Sequence, residues 1–136
     1  MTTYTFDEQI LSDLHKDAYG SRPGQRFWQY WNQSSDEWKQ RIWDGLLEDL
    51  DIAMREQTER ESQALINLNE LISQNMRHGA KDREQAIKWV VESLDPDHQD
   101  LCYGGSWVCY MLGLAYSQQH LFDQACIELR YKMEDA

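Results

Sequence analysis

The chain is poor in proline, in positive charge and in long apolar runs, and each shortage narrows what it can be. Pro23 and Pro96 are the two prolines in 136 residues, so long stretches carry no helix breaker. Lysine and arginine number 13 against 24 acids, a formal charge of −11. That balance disfavours direct nucleic-acid binding, which needs a basic face to displace counterions, and it disfavours anionic membranes. The longest apolar stretch, Trp107 to Tyr116, is about half the roughly twenty residues a membrane span requires, and it predicts a buried core helix. Met1 to Gln9 is polar and acidic, which predicts no secretory signal. Cysteine is also scarce: Cys102, Cys109 and Cys126 are an odd set without a secreted disulfide framework, and read as reduced thiols in a cytoplasm. No segment alternates with period two for long enough to predict a strand.

What the chain has is material for helices. Apolar residues make up 41% and aromatics 12%, enough for a core and unlike a disordered chain. The patterning predicts an all-α fold, an irregular helical bundle in a single helical domain over 1–136, with one long central helix (about 36–77) and a C-terminal helical hairpin. Thr5 and Glu8 have capping-box spacing, and Phe6, Ile10, Leu11, Leu14 and Ala18 recur at three and four, which predicts a helix over Phe6–Tyr19 ended by Gly20. Gln25–Asn32 is a second, aromatic helix, so that N-terminal helices fill 6–32. Ser34 and Glu37 repeat the capping signature before the long helix.

That helix shows one stripe of Trp38, Ile42, Leu46, Leu50 and Ala53 and another of Leu65, Leu68, Ile72 and Met76. Between them Arg55–Gln63 contains no apolar residue, whereas a helix packed along its length keeps one every three or four positions. The segment is a solvated bridge or a turn, and the absence of turn residues favours a bridge. An unbroken helix would run about 60 Å, against roughly 35–40 Å for a compact domain of this size; it would project, or be covered by a second copy of the chain. C-terminal helices are expected over 83–133: Asp82 and Gln85 cap one, Asp95-Pro96 ends it with Pro96 starting a short turn, Gly104-Gly105 breaks the chain, Ser106 caps Trp107–Tyr116, and Leu121–Met133 is last.

Chemistry-bearing patterns are few. No nucleophile elbow, phosphate-binding loop or dinucleotide fingerprint occurs, so no catalytic residue and no cofactor is expected. His98, Cys102 and Cys109 have loose metal-ligand spacing, but Gly104-Gly105 interrupts any shared face and buried cysteines are commonly small hydrophobes; no metal is expected. Asp44 to Glu61 holds seven carboxylates against Arg55 and Arg60, a net of −5. The stripe is either a solvated face with intrahelical ion pairs or an imitation of a phosphate backbone. Phe27, Trp28, Tyr30 and Trp31 cannot all point into one core from one helix, and a spare ring flanked by arginine is interface material. The residues expected to meet a partner are Asp44, Glu48, Asp49, Asp51, Glu56 and Glu59 on the long helix, with Trp28, Tyr30 and Arg26 on the aromatic one.

Two resemblances add to this. Ile10-Leu11-Ser12-Asp13-Leu14-His15-Lys16-Asp17-Ala18-Tyr19-Gly20-Ser21-Arg22-Pro23-Gly24, continued by Phe27-Trp28 and Trp31, resembles a recurring N-terminal block in small hypothetical proteins of tailed bacteriophages; Asp82 to Trp89, Leu101-Cys102-Tyr103 and Gly113 to Tyr116 look like that group's downstream blocks. The resemblance implies a phage accessory protein in the cytoplasm of an infected bacterial host. It carries over no catalytic residue. Leu112-Gly113, Tyr116, Phe122 and Ala125 fall at the spacing of a tetratricopeptide unit, though a stable array needs at least three repeats. The function expected is binding that inhibits or redirects a host protein, such as a defence component or nucleic-acid enzyme. The alternatives are a non-catalytic helical homodimer in assembly, a DNA mimic using the acidic face, and a small enzyme or metal protein.

Overall fold

The computed structural model describes residues 3–135. Its regular structure is helical throughout: α1 (Leu11–Tyr19), α2 (Gln25–Gln33), α3 (Asp36–Arg77), α4 (Arg83–Ser93), α5 (His98–Tyr103), α6 (Gly105–Leu112), a 3₁₀ turn (Tyr116–Leu121) and α7 (Asp123–Glu134). No strand occurs among the described residues, and none of their helices is long and apolar enough to cross a membrane. The long helix is unbroken over 42 residues. Packing divides the chain into two compact units, Met1–Thr58 and Glu59–Ala136, and the border falls inside the polar stretch of α3. All of Arg55–Gln63 is exposed except Glu61, which is half-buried. Each unit thus gathers its own apolar stripe of the helix.

In the first unit the core is Leu11, Leu14, Trp31, Trp43 and Leu46, with Phe6, Phe27, Trp28, Ile42 and Leu50 packed against it. Burial of each such aliphatic side chain stabilises by about 1.5–3 kcal/mol. Gly20 ends α1 as expected, at φ 84° with its N–H bonded to Lys16 O. The start of α1 differs from expectation. Thr5 and Glu8 do not cap it; the helix begins at Leu11, and Ile10 is exposed. Instead Gln40 reaches back, accepting from the Thr5 and Phe6 amides at 2.8 and 3.2 Å and donating to Thr5 Oγ1 at 2.8 Å. Phe6 stands edge-on to Trp31, centroids 5.5 Å apart. These tertiary contacts hold residues 3–6 outside the helix and outcompete the local cap.

Two more local readings shift. The serine that caps α3 is Ser35, whose Oγ accepts from Trp38 N at 3.2 Å; Ser34 instead donates to Tyr30 O at 2.6 Å. Trp38, placed on the apolar stripe by its spacing, is 42% exposed, and the buried tryptophan of α3 is Trp43. Trp43, Leu46 and Leu50 are the three-four pattern that faces the core.

The second unit is built around Leu68, Ile72, Ile87, Val90, Val91, Leu101, Val108, Phe122 and Leu129, with Cys109 and Cys126 buried among them. Asp82 caps α4 as expected, accepting from Gln85 N at 2.9 Å. Pro96 does not open the next helix: α5 starts at His98 behind a capping box of Asp97 and Asp100, and Pro96 precedes it. Gly104, at φ 67°, separates α5 from α6. Ser106 does not cap α6 but donates to Tyr103 O at 2.9 Å; the helix opens two residues earlier than expected, at Gly105, whose N–H donates to Asp123 Oδ1 at 2.9 Å. The left-handed Gly113 (φ 74°) stops α6 before Tyr116. α7 packs on α4 and α5, while α6 packs on the 3₁₀ turn.

Candidate functional site

The expected partner-binding residues separate into three sets. Trp28 belongs to the first core, half-buried with its ring edge-on to Phe27 at 5.7 Å. Arg26 and Tyr30, one turn apart on α2, are exposed, Tyr30 at 52%. The acids of α3 are mostly exposed but are not one clean stripe. Asp44, Glu48 and Asp51 share a face by their four- and three-residue spacing, while Asp49 and Glu56 lie on another flank. Several carboxylates have partners inside the chain: Asp44 accepts from Gln40 Nε2 at 2.9 Å, Asp51 pairs with Arg55 at 2.7 Å, and the half-buried Asp49 accepts from Tyr19 OH. That last bond holds the Tyr19 phenol above its ordinary range. Glu48, Glu56 and Glu59 are exposed, Glu59 within the second unit.

Residues that the sequence reading left aside complete a surface on the first unit. Trp38 turns out from the core and its indole N–H donates to Tyr30 OH. Arg41 lies over the Trp38 ring, Cζ 5.3 Å from the centroid, a cation–π contact of about 0.5–1 kcal/mol at an exposed site. Trp38, Arg41, Gly45, Glu48 and Ile52 follow at spacings of three and four, so they line one face of α3, opposite Trp43, Leu46 and Leu50. Ile52 on that face is 41% exposed. Gly45 sits at its middle, where a Cβ would meet nothing within 4 Å. The fold of this unit does not need a glycine there, although glycine inside a helix costs about 1 kcal/mol relative to alanine. Its absent side chain leaves open space on the helix surface between a tryptophan–arginine pair and an isoleucine.

This surface was detectable in part. Tyr30 and Arg26 stand out from composition. Trp38, Arg41 and Gly45 become visible only when the core face of α3 is assigned to Trp43–Leu46–Leu50 instead of Trp38–Ile42–Leu46.

The residues with metal-ligand spacing do not assemble. Cys109 is buried in the second core, whereas His98 and Cys102 meet on the exposed side of α5. Among the described residues no three or more of His, Cys, Asp and Glu group so as to hold a metal ion. Two of the other histidines serve the backbone: His15 Nδ1 lies 2.6 Å from Ser21 O and His120 Nδ1 3.0 Å from Ser117 O.

No protein-family model matches the chain, and neither a curated protein nor a solved structure is significantly similar to it.

Proposed function

We propose that the chain works by binding a protein partner through the outer face of the first unit, with Tyr30, Trp38 and Arg41 as anchor and Gly45 as the point of close approach. The observation that carries this reading is the exposed Tyr30–Trp38–Arg41 assembly. Tryptophan, tyrosine and arginine dominate interface hot spots because they bring large contact area with few rotatable bonds. Here they hold one another in place in the free chain, which lowers the ordering cost of binding. Glu48, Glu56 and the half-exposed Ile52 give the surroundings a mixed apolar and acidic character, suited to a partner with basic residues at its rim. The sequence resemblance to bacteriophage proteins makes that partner a host protein in the cytoplasm of an infected bacterium, inhibited or redirected by the contact.

The direct test is a photo-crosslinking residue at Arg41, with Asp17 on α1 as the control position. One defined adduct from position 41 and none from position 17 is expected in bacterial cells. Identical adducts from both positions, or none from either, would defeat the proposal.

A homodimer built on α3 has one specific observation in its favour. Leu47 and Met54, seven residues apart on α3, are 44% and 61% exposed. Light scattering that gives the mass of one chain across micromolar concentrations removes it. The DNA-mimic reading draws less support, since Asp44, Asp49 and Asp51 are engaged within the chain.

A further inference from the structure

Three side chains on the second unit form a relay unconnected with the surface above. Cys102 Sγ lies 3.7 Å from His98 Nδ1, and His98 Nε2 lies 3.0 Å from Glu134 Oε1. The first two are one turn apart on α5; the third comes from the last turn of α7. A carboxylate can only accept a hydrogen bond. The neutral imidazole therefore carries its proton on Nε2 and turns the Nδ1 lone pair toward the thiol. Cys102 is exposed. The other two thiols are enclosed, and burial, with Asp123 adding to it, pushes both upward, Cys126 to about 11. They stay protonated and out of reach at neutral pH, whereas an accessible thiol beside a base is the reactive kind.

We propose that Cys102, His98 and Glu134 form a nucleophilic thiol site that takes low-molecular-weight disulfides, with His98 as base and Glu134 as its positioning residue. In the exchange His98 Nδ1 takes the Sγ proton, and the imidazolium so formed is held by the Glu134 carboxylate. The Cys102 thiolate attacks one sulfur of the disulfide R–S–S–R, the S–S bond breaks, and its electron pair leaves with the departing thiolate, which takes the proton from His98. The products are Cys102 in a mixed disulfide and one free small thiol; a second thiol reverses the step. Asp97 and Asp100 on α5 beside the Glu134 carboxylate, with no charged side chain on α6, favour a positively charged disulfide.

The probe is cystamine, with adduct formation followed by intact-protein mass at pH 7. One adduct per chain is expected, on Cys102, and none on the C102S variant. His98→Gln is expected to slow it about three- to tenfold, the modest loss that removing the base beside the thiol allows in this exchange. His98→Gln should also change how the rate depends on pH, since the thiol proton no longer passes to an imidazole. Glu134→Gln, which can still orient the ring, is expected to fall between the two. Labelling at Cys109 or Cys126 in place of Cys102, or a H98Q variant with an unchanged rate and pH profile, overturns the proposal. All three side chains are exposed, so the variants leave the core intact.

Discussion

Trp31 donates its indole N–H to Glu8 Oε1 at 3.0 Å. This one bond ties the segment before α1 to the most buried ring of the first unit. Lys39 Nζ lies 3.3 Å from the same oxygen and 5.6 Å from the centre of the Trp31 ring. The indole and ammonium donors both favour the charged form, so the Glu8 carboxyl is held below its ordinary value of 4.5. The sign follows by linkage: a lowered folded value gives a stabilisation present above about pH 4.5 and lost as pH falls below it. Near-UV circular dichroism of the unaltered chain should begin to decay below that pH. In Glu8→Gln, which keeps an acceptor for Trp31 but no titrating charge, this early limb should be flattened. An identical acid curve for both proteins would contradict it.

Gly105 is the tightest backbone contact of the second unit. A Cβ there would stand 1.9 Å from the carbonyl oxygen of Gln119 and 2.7 Å from Asp123 Oδ1. A carbonyl fixed in the 3₁₀ turn cannot rotate away as a long side chain can, so alanine must push α6 off the turn and break the Gly105–Asp123 bond. Gly105→Ala should cost about 3 kcal/mol, the upper part of the usual range for overpacking. Urea unfolding measures it; a variant as stable as the unaltered chain would show that α6 approaches the turn less closely.

The middle of α3 should exchange its amide hydrogens faster than its flanks. Arg55–Gln63 contributes no side chain to either apolar core, and local opening is easiest where few buried contacts must be broken. Hydrogen exchange followed by mass spectrometry should show lower protection there than around Trp43–Leu50 or Leu68–Ile72. Uniform protection along the helix would mean that the polar stretch is covered, which is what a dimer along α3 would produce.

Where local chemistry decides an element, the sequence was sufficient. Gly20 and Asp82 act where their types and spacing place them, α2 falls within a residue of its expected end, and the polar middle of α3 is helical because nothing in it turns the chain. Where distant partners compete, local rules misled. Thr5 and Glu8 have capping-box spacing, but Gln40, Trp31 and Lys39 claim them. Ser34 and Ser35 are neighbours of equal capping ability, and one-residue differences in helix start decide which is used. Trp38 and Trp43 both fit three-four patterns on α3, and only the packing of α1 and α2 determines which is buried. The relay on α5 was half legible, since His98 and Cys102 share a helix face by spacing alone. Glu134 lies 36 residues beyond His98, with no pattern linking them.

Trp38→Ala should leave the first unit folded, with a stability change within about 1 kcal/mol as for an exposed position. Its effect belongs to binding. Loss of the ring removes the platform for Arg41 and the donor to Tyr30, and truncation of such an anchor typically weakens an interface by 2 kcal/mol or more, about thirtyfold. Isothermal titration with the partner captured through Arg41 reads this directly.

The sharpest measurement is the same titration on Gly45→Ala, alongside its thermal unfolding. The methyl group has open space in the free chain, so the variant should be more stable by about 0.5–1 kcal/mol. It adds bulk where a partner's surface is to approach, so binding should weaken at least tenfold. A variant that is stabilised and binds as tightly as the unaltered chain would contradict the assignment of this face as the binding surface.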